Sequence, residues 1–157
     1  LGENKLSRDY VEMAVINYRY CQYYSETHKQ PLDYGTGVAY SSAEVHTVVQ
    51  IAAQPGITVT EIARVTSRSK SAVSQITTRL EQKGLICNKK GLNRRGGLYV
   101  TDKGQELNDC YTRYAEKVIA PPLEEYVERF GAEAMDSFYN IMNCMISELS
   151  QAKKENE

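Results

Sequence analysis

The chain has 157 residues, of which 41% are hydrophobic and 25% charged, and a formal net charge of −1. That length suits one domain with a real core. No apolar run reaches the length of a membrane span, no charged-then-apolar leader opens the sequence, and four scattered cysteines without CxxC spacing argue against a disulfide framework. A soluble, cytoplasmic protein with reduced thiols is expected.

In chain order, Leu6 to about His28 reads as a first helix with Leu6, Tyr10, Met13, Tyr20 and Tyr24 near one face. Its apolar character runs nearly all round in VEMAVINYRYCQYY, which suggests contact with a partner chain as well as its own core. Gln30 to Tyr40 reads as a loop, marked by Pro31, Asp33, Gly35 and Gly37. Ser41 and Glu44 then have the spacing of a capping box, opening a helix with Val45, Val48, Ile51 and Ala52 inward and Pro55-Gly56 as its stop. Thr58 and Glu61 repeat the capping-box spacing at the start of a short helix to Thr66, with Ile57 and Ile62 placed as a hydrophobic staple.

The stretch from Ser69 to Lys83 is the part that the rest of the chain serves. On a helix, Val73, Ile76 and Leu80 make one buried stripe, with Ser69 as N-cap and Gly84 as the left-handed stop. The other faces carry Lys70, Ser71, Ser74, Gln75, Thr78 and Arg79, side chains of the kind that reach base edges and phosphates in a major groove. A polar helix face alone is commonplace, but a short helix, a brief turn and this helix together form a helix-turn-helix pattern. Downstream, Asn88 to Gly97 is basic and glycine-rich, and Leu98-Tyr99-Val100 alternates as a strand, so a hairpin "wing" is expected. Lys89, Lys90, Arg94 and Arg95 are placed in its loop, with Gly91, Gly96 and Gly97 letting the backbone turn and approach a duplex. Such arginines favour a narrow minor groove and contribute salt dependence.

Thr101 caps a long helix to Ala120 with Leu107, Cys110 or Tyr111, Tyr114 and Val118 on one stripe, and Pro121-Pro122 is expected to break or bend it. The last helix, about Ala132 to Gln151, shows Ala134, Phe138, Ile141, Met142, Met145 and Leu149. Charge is distributed unevenly. Residues 58–104 hold ten Lys or Arg against three acids, a balance of +7 that leaves −8 for the remainder. Positive charge gathered on a helix-turn-helix and wing is an electrostatic footprint for nucleic acid.

TEIARVTSRSKSAVSQITTRLEQKGLI followed by NRRGGLYVTDKG resembles the DNA-binding core of MarR-type transcriptional regulators. The resemblance covers about a third of the chain directly, and the flanking helices fit the family's dimerisation parts by position. It implies a mainly α fold with a small β-wing. Residues 1–157 would form a single domain, with a winged helix-turn-helix core over 41–104 and dimerisation helices over 1–30 and 105–157. The usual Asp-x-Arg of the wing is matched at Arg94, but the aspartate position holds Leu92 or Asn93. Ser67 and Arg68 stand where a glycine and an apolar residue are usual. The family's effector pocket would draw on Tyr20, Tyr24, His46 and Tyr111, with an apolar or aromatic anion as the expected ligand.

The function expected is a homodimeric, sequence-specific regulator of double-stranded DNA with a pseudo-palindromic operator, a repressor released by a small-molecule effector. Recognition-helix contacts are assigned to Ser69, Lys70, Ser71, Ser74, Gln75, Thr78 and Arg79. No cofactor and no catalytic residue is expected, because phosphate-loop, GxSxG and HExxH patterns are absent and the chain has two histidines. The alternative is a regulator responding to zinc through His46, Cys110 and His28, or to peroxide through Cys21. Structural zinc generally needs four ligands, and the nearest cation to Cys21 in sequence, Arg19, is off its helix face.

Overall fold

A computed structural model describes residues 9–90 and 96–155. Helix α1 (Tyr10–Thr27) is capped by Asp9, whose carboxylate accepts from the Val11 amide at 2.9 Å. Residues 30–40, expected as plain loop, contain a minimal hairpin of β1 (Leu32–Asp33) and β2 (Ala39–Tyr40). Its tip is tied by Asp33, whose carboxylate accepts from the amides of Gly35, Thr36 and Gly37. Those donors hold the Asp33 carboxyl below its usual range, the Gly35 amide most strongly.

Both capping boxes form. Ser41 and Glu44 open α2 (Ser42–Ala53), and Thr58 and Glu61 open α3 (Val59–Val65), each pair exchanging side-chain and backbone hydrogen bonds. Helix α4 (Lys70–Gln82) is capped by Ser69 and buries Val73, Ile76, Thr77 and Leu80. Beyond it Gly84 takes φ +69, the left-handed stop expected there. The turn between α3 and α4 places Ser67 at φ +52, a conformation glycine adopts more freely.

Helix α2 packs on α4, α5 and β4, so Val45, Val48 and Ile51 lie at the centre of the core with Ile57, Ile62, Leu80, Leu85 and Leu107. Ala52 is only half-buried. The wing is β3 (Ile86–Lys90) against β4 (Gly96–Val100), in register from Ile86 opposite Val100 to Lys90 opposite Gly96. The strands are longer than expected, and this corrects two assignments. Lys89 and Lys90 belong to β3 rather than to the loop, while Arg94 and Arg95 lie outside the described residues. Gly96 and Gly97 are strand residues, and close approach to protein is their reason. A Cβ on Gly97 would sit 2.7 Å from the carbonyl oxygen of Gly56, and one on Gly96 would meet the Asn88 side chain. The outer edge of β4 is paired as well, because the Gly56 amide donates to Leu98 O at 2.8 Å and the Leu98 amide to Ile57 O at 3.0 Å.

Helix α5 (Asp102–Tyr114), capped by Thr101, does not break at the prolines. It passes through a π-helical turn (Ala115–Ile119) into α6 (Ala120–Phe130), which carries Pro121 and Pro122 in its first turn. There their missing N–H groups cost little, and the wider turn relieves the ring clash with the preceding carbonyls. The extra residue also shifts the phase of the stripe. Leu107 and Cys110 are buried and Tyr111 and Tyr114 half-buried, but Val118 faces outward. After Gly131 at φ +87, α7 (Ala132–Glu155) packs on α6. Helices α1 and α6 bury no residue within the chain, and on α7 Leu149 and Tyr139 are 70% and 68% exposed. Among the described residues no helix is long and apolar enough to cross a membrane.

Candidate nucleic-acid interface and ligand pocket

The buried stripe of α4 turns the helix so that Lys70, Ser71, Ser74, Gln75, Thr78 and Arg79 are all exposed on its outer side. Ser71, Ser74, Gln75, Thr78 and Arg79 also line one shallow, open depression. At the N-terminal end of α4 the cap Ser69 is exposed too. Its C-terminal end is clamped. Lys83 donates to Glu44 Oε1 at 2.6 Å and its Nζ lies 5.1 Å from the Tyr40 ring centre, while the Lys103 ammonium donates to the Lys83 carbonyl at 2.9 Å. On the wing, Lys89 Nζ lies 5.3 Å from the Tyr99 ring centre, and the lysine is exposed. The polar face of α4 and the basic hairpin thus belong to one compact core that carries the local excess of positive charge.

A second feature lies between α1, α2 and α5, a cavity of about 340 Å³. It brings together three of the four residues assigned to an effector pocket, Tyr24, His46 and Tyr111. The fourth, Tyr20, is a correction. One turn earlier on α1, it lines an apolar groove with Leu123, Tyr126 and Phe130 of α6 and Phe138 of α7. Sequence reasoning missed Tyr34 and Tyr114. Tyr34 stands edge-on to Tyr111 and Tyr114, with ring centres at 5.4 and 5.1 Å. It reaches them from the small hairpin, a position that no helical periodicity could reveal. His46 meets the Tyr111 ring at 5.4 Å, and Tyr24 stacks on His28 at 4.0 Å. Burial raises the pKa of Tyr34 and of Tyr111, so both phenols stay protonated, and burial lowers that of His46, with His28 and Arg68 adding repulsion.

The zinc candidates do not assemble. His28 and His46 share the cavity, but His28 Nδ1 is engaged by the Tyr24 carbonyl at 2.8 Å. Cys110 is buried beside Arg113, whose guanidinium donates to Sγ at 3.0 Å. Among the described residues no three His, Cys, Asp or Glu side chains are gathered for a metal ion. Two imidazoles do not fit the three or four ligands zinc takes in proteins. Cys21 is exposed on α1.

A helix-turn-helix whose second helix presents a polar face, followed at once by a paired basic hairpin, defines a winged-helix protein. Residues 40–93 match the sequence profile of the MarR family. The whole chain is similar in fold to solved structures of low sequence identity. The transcriptional regulator SlyA matches with a TM-score of 0.70 at 14% identity, over 96% of this chain and 100% of that one. Lactococcus lactis ZitR, solved in complex with DNA, gives 0.65 at 16% identity, over 91% and 99%. Streptococcus pneumoniae FabT, also in complex with DNA, gives 0.63 at 18% identity, over 92% and 99%. No curated protein sequence matches the chain.

Proposed function

We propose that the chain is a sequence-specific regulator of transcription that binds double-stranded DNA as a homodimer and is released by a small-molecule effector. The observation that carries this reading is the exposed polar face of α4, held on a core with a balance of +7 beside the basic wing. Fold similarity to ZitR and FabT, both solved on DNA, supports it. Lys70, Ser71, Ser74 and Gln75 read base edges, Thr78 and Arg79 hold phosphates, Ser69 lies at the start of the same contact surface, and Lys89, Lys90, Arg94 and Arg95 follow the flanking groove. The test is selection of bound duplexes from a random pool. An inverted repeat with half-sites about 34 Å apart is expected, and a pool that never enriches would overturn the reading. Within that operator, Gln75→Ala should cost about 1–3 kcal/mol and relax preference at one base pair per half-site. Equal weakening on operator and random DNA would instead move Gln75 among the phosphate contacts.

The dimer rests on α1, α6 and α7, which leave large apolar side chains exposed along their length, Tyr10 and Phe138 among them. So much exposed apolar surface on these three helices of a single chain marks an interface. Residues 1–30 and 105–157 supply it around the winged core of 41–104. Light scattering at micromolar concentration should give twice the chain mass, and a monomer mass would sink the idea.

The effector enters through the tyrosine-lined cavity and shifts the dimer toward a half-site spacing that does not fit DNA, by differential affinity for the two states. Lactococcus lactis ZitR is a zinc-responsive MarR family member, but among the described residues no group of three His, Cys, Asp or Glu is gathered for such an input.

A further inference from the structure

The geometry points to an organic monocation, a flat N-alkylated aromatic ring, as the ligand class of the cavity between α1, α2 and α5; this rests on the effector reading above. Four tyrosine rings from three separate elements converge there, Tyr24 from α1, Tyr34 from the small hairpin, and Tyr111 and Tyr114 from α5. Their planes differ widely, from 27° between Tyr111 and Tyr114 to 87° between Tyr34 and Tyr114, so the rings wall a space on several sides instead of stacking into a closed column. Aromatic faces carry a negative quadrupole that attracts a cation, and the attraction grows when water is excluded.

The absence of fixed charge in the lining decides between ligand classes. Among the described residues, no Lys, Arg, Asp or Glu lines the cavity. An anion entering it would surrender hydration with no ammonium or guanidinium in the wall to replace it. His46 does not supply that charge, because burial, with repulsion from His28 and Arg68, disfavours its imidazolium form. Arg68 acts on His46 from outside the lining. A delocalised cation carries a weaker hydration shell and trades it for ring faces. The anion expected from the family resemblance finds no counter-charge here. The volume, about 340 Å³, is at the small end for ligand pockets and suits a two- or three-ring molecule.

The test is calorimetric titration of the full chain with three probes of one shape, 1-methylquinolinium, 1-naphthol and 1-naphthoate, read beside release of bound DNA. The quinolinium should bind about tenfold tighter than the naphthoate and release DNA at correspondingly lower concentration. Tyr111→Phe should keep that preference, since the ring remains, whereas Tyr111→Leu should lose about tenfold for the cation alone. Tyr114→Leu is the parallel variant should Tyr111→Leu fail to fold. Naphthoate binding as tightly as the quinolinium and releasing DNA would overturn the cation while leaving the cavity as effector site. Naphthol matching the quinolinium would do the same and mark the site as charge-blind. If none of the three binds, the effector assignment of the cavity falls together with its ligand class.

Discussion

Replacing Gly104 with alanine should lower the melting temperature by roughly 6–12 °C, the consequence of about 3 kcal/mol lost in a chain of this size. Gly104 lies buried in the first turn of α5, where a Cβ would collide with the backbone carbonyl of Leu85 and press on Val100 Cβ at 3.3 Å. That carbonyl cannot swing aside. It accepts the Thr101 amide at 3.0 Å, and the Thr101 hydroxyl donates to the Gly84 carbonyl at 2.6 Å, so the start of α5 is bonded to the turn leaving α4. Relief would require α5 to lift off the core and draw the wing with it. Thermal unfolding followed by circular dichroism, with all variants at one fixed protein concentration, makes the measurement. Gly84→Ala is the control. Nothing lies within 4 Å of a Cβ there, and only the positive φ opposes it, so about 1–2 kcal/mol is expected. A Gly104→Ala midpoint no lower than the Gly84→Ala one would show that the α5 contact gives way easily.

Removing Glu44 should cost about 3 kcal/mol, from a lost N-cap contact and a lost charge-assisted hydrogen bond. Glu44 is 5% exposed, and its two carboxylate oxygens do different work. Oε2 accepts from the Ser41 amide and hydroxyl, both at 3.0 Å, closing the capping box of α2. Oε1 receives Lys83 at the C-terminal end of α4, joining α2 to α4. Glu44→Ala removes both; Glu44→Gln keeps its carbonyl oxygen as acceptor for Ser41 but presents an NH2 to Lys83 and loses that bond, so its cost should be about half. Acid provides an independent check. Burial alone would raise the carboxyl, but Lys83 and Ser41 outweigh it and the net shift is downward. A carboxylate with a depressed folded pKa stabilises fully above its ordinary value of 4.5, and that contribution fades as pH falls through the folded pKa. The gap between wild type and Glu44→Ala in urea midpoints should therefore narrow in acid. A gap that stays constant from neutral pH down to pH 3 would assign the effect to packing instead of charge. Because Ser42 and His46, on the same helix, line the tyrosine cavity, this ion pair also joins the cavity's wall to α4.

What the sequence determined by itself was what neighbouring residues decide among themselves. A capping box needs two side chains three positions apart, so Ser41 with Glu44 and Thr58 with Glu61 were legible before any fold was known. The three- and four-residue spacing of Val73, Ile76 and Leu80 likewise oriented α4, and Gly84 stopped it, because both follow from helix geometry and backbone sterics. The winged core was therefore readable almost end to end. The tertiary structure alone decided what depends on contacts between residues far apart in the chain. Lys83 finds Glu44 across 39 positions, Gly97 is needed because Gly56 passes close to it, and Gly104 because Leu85 does. None of these partners leaves a periodic trace. The tyrosine cavity divides in the same way. Tyr24, His46 and Tyr111 sit on helices whose faces could be deduced, whereas Tyr34 arrives from a hairpin formed by two-residue strands. Tyr20 fell on the wrong wall because a helix face in sequence carries no record of which neighbour it meets. Pro121 and Pro122 show the limit from the other side. Proline chemistry correctly forbids an ordinary helical ladder there, but a single π turn satisfies the same restriction without a break. Local proline chemistry leaves both outcomes open, and the fold takes the π turn.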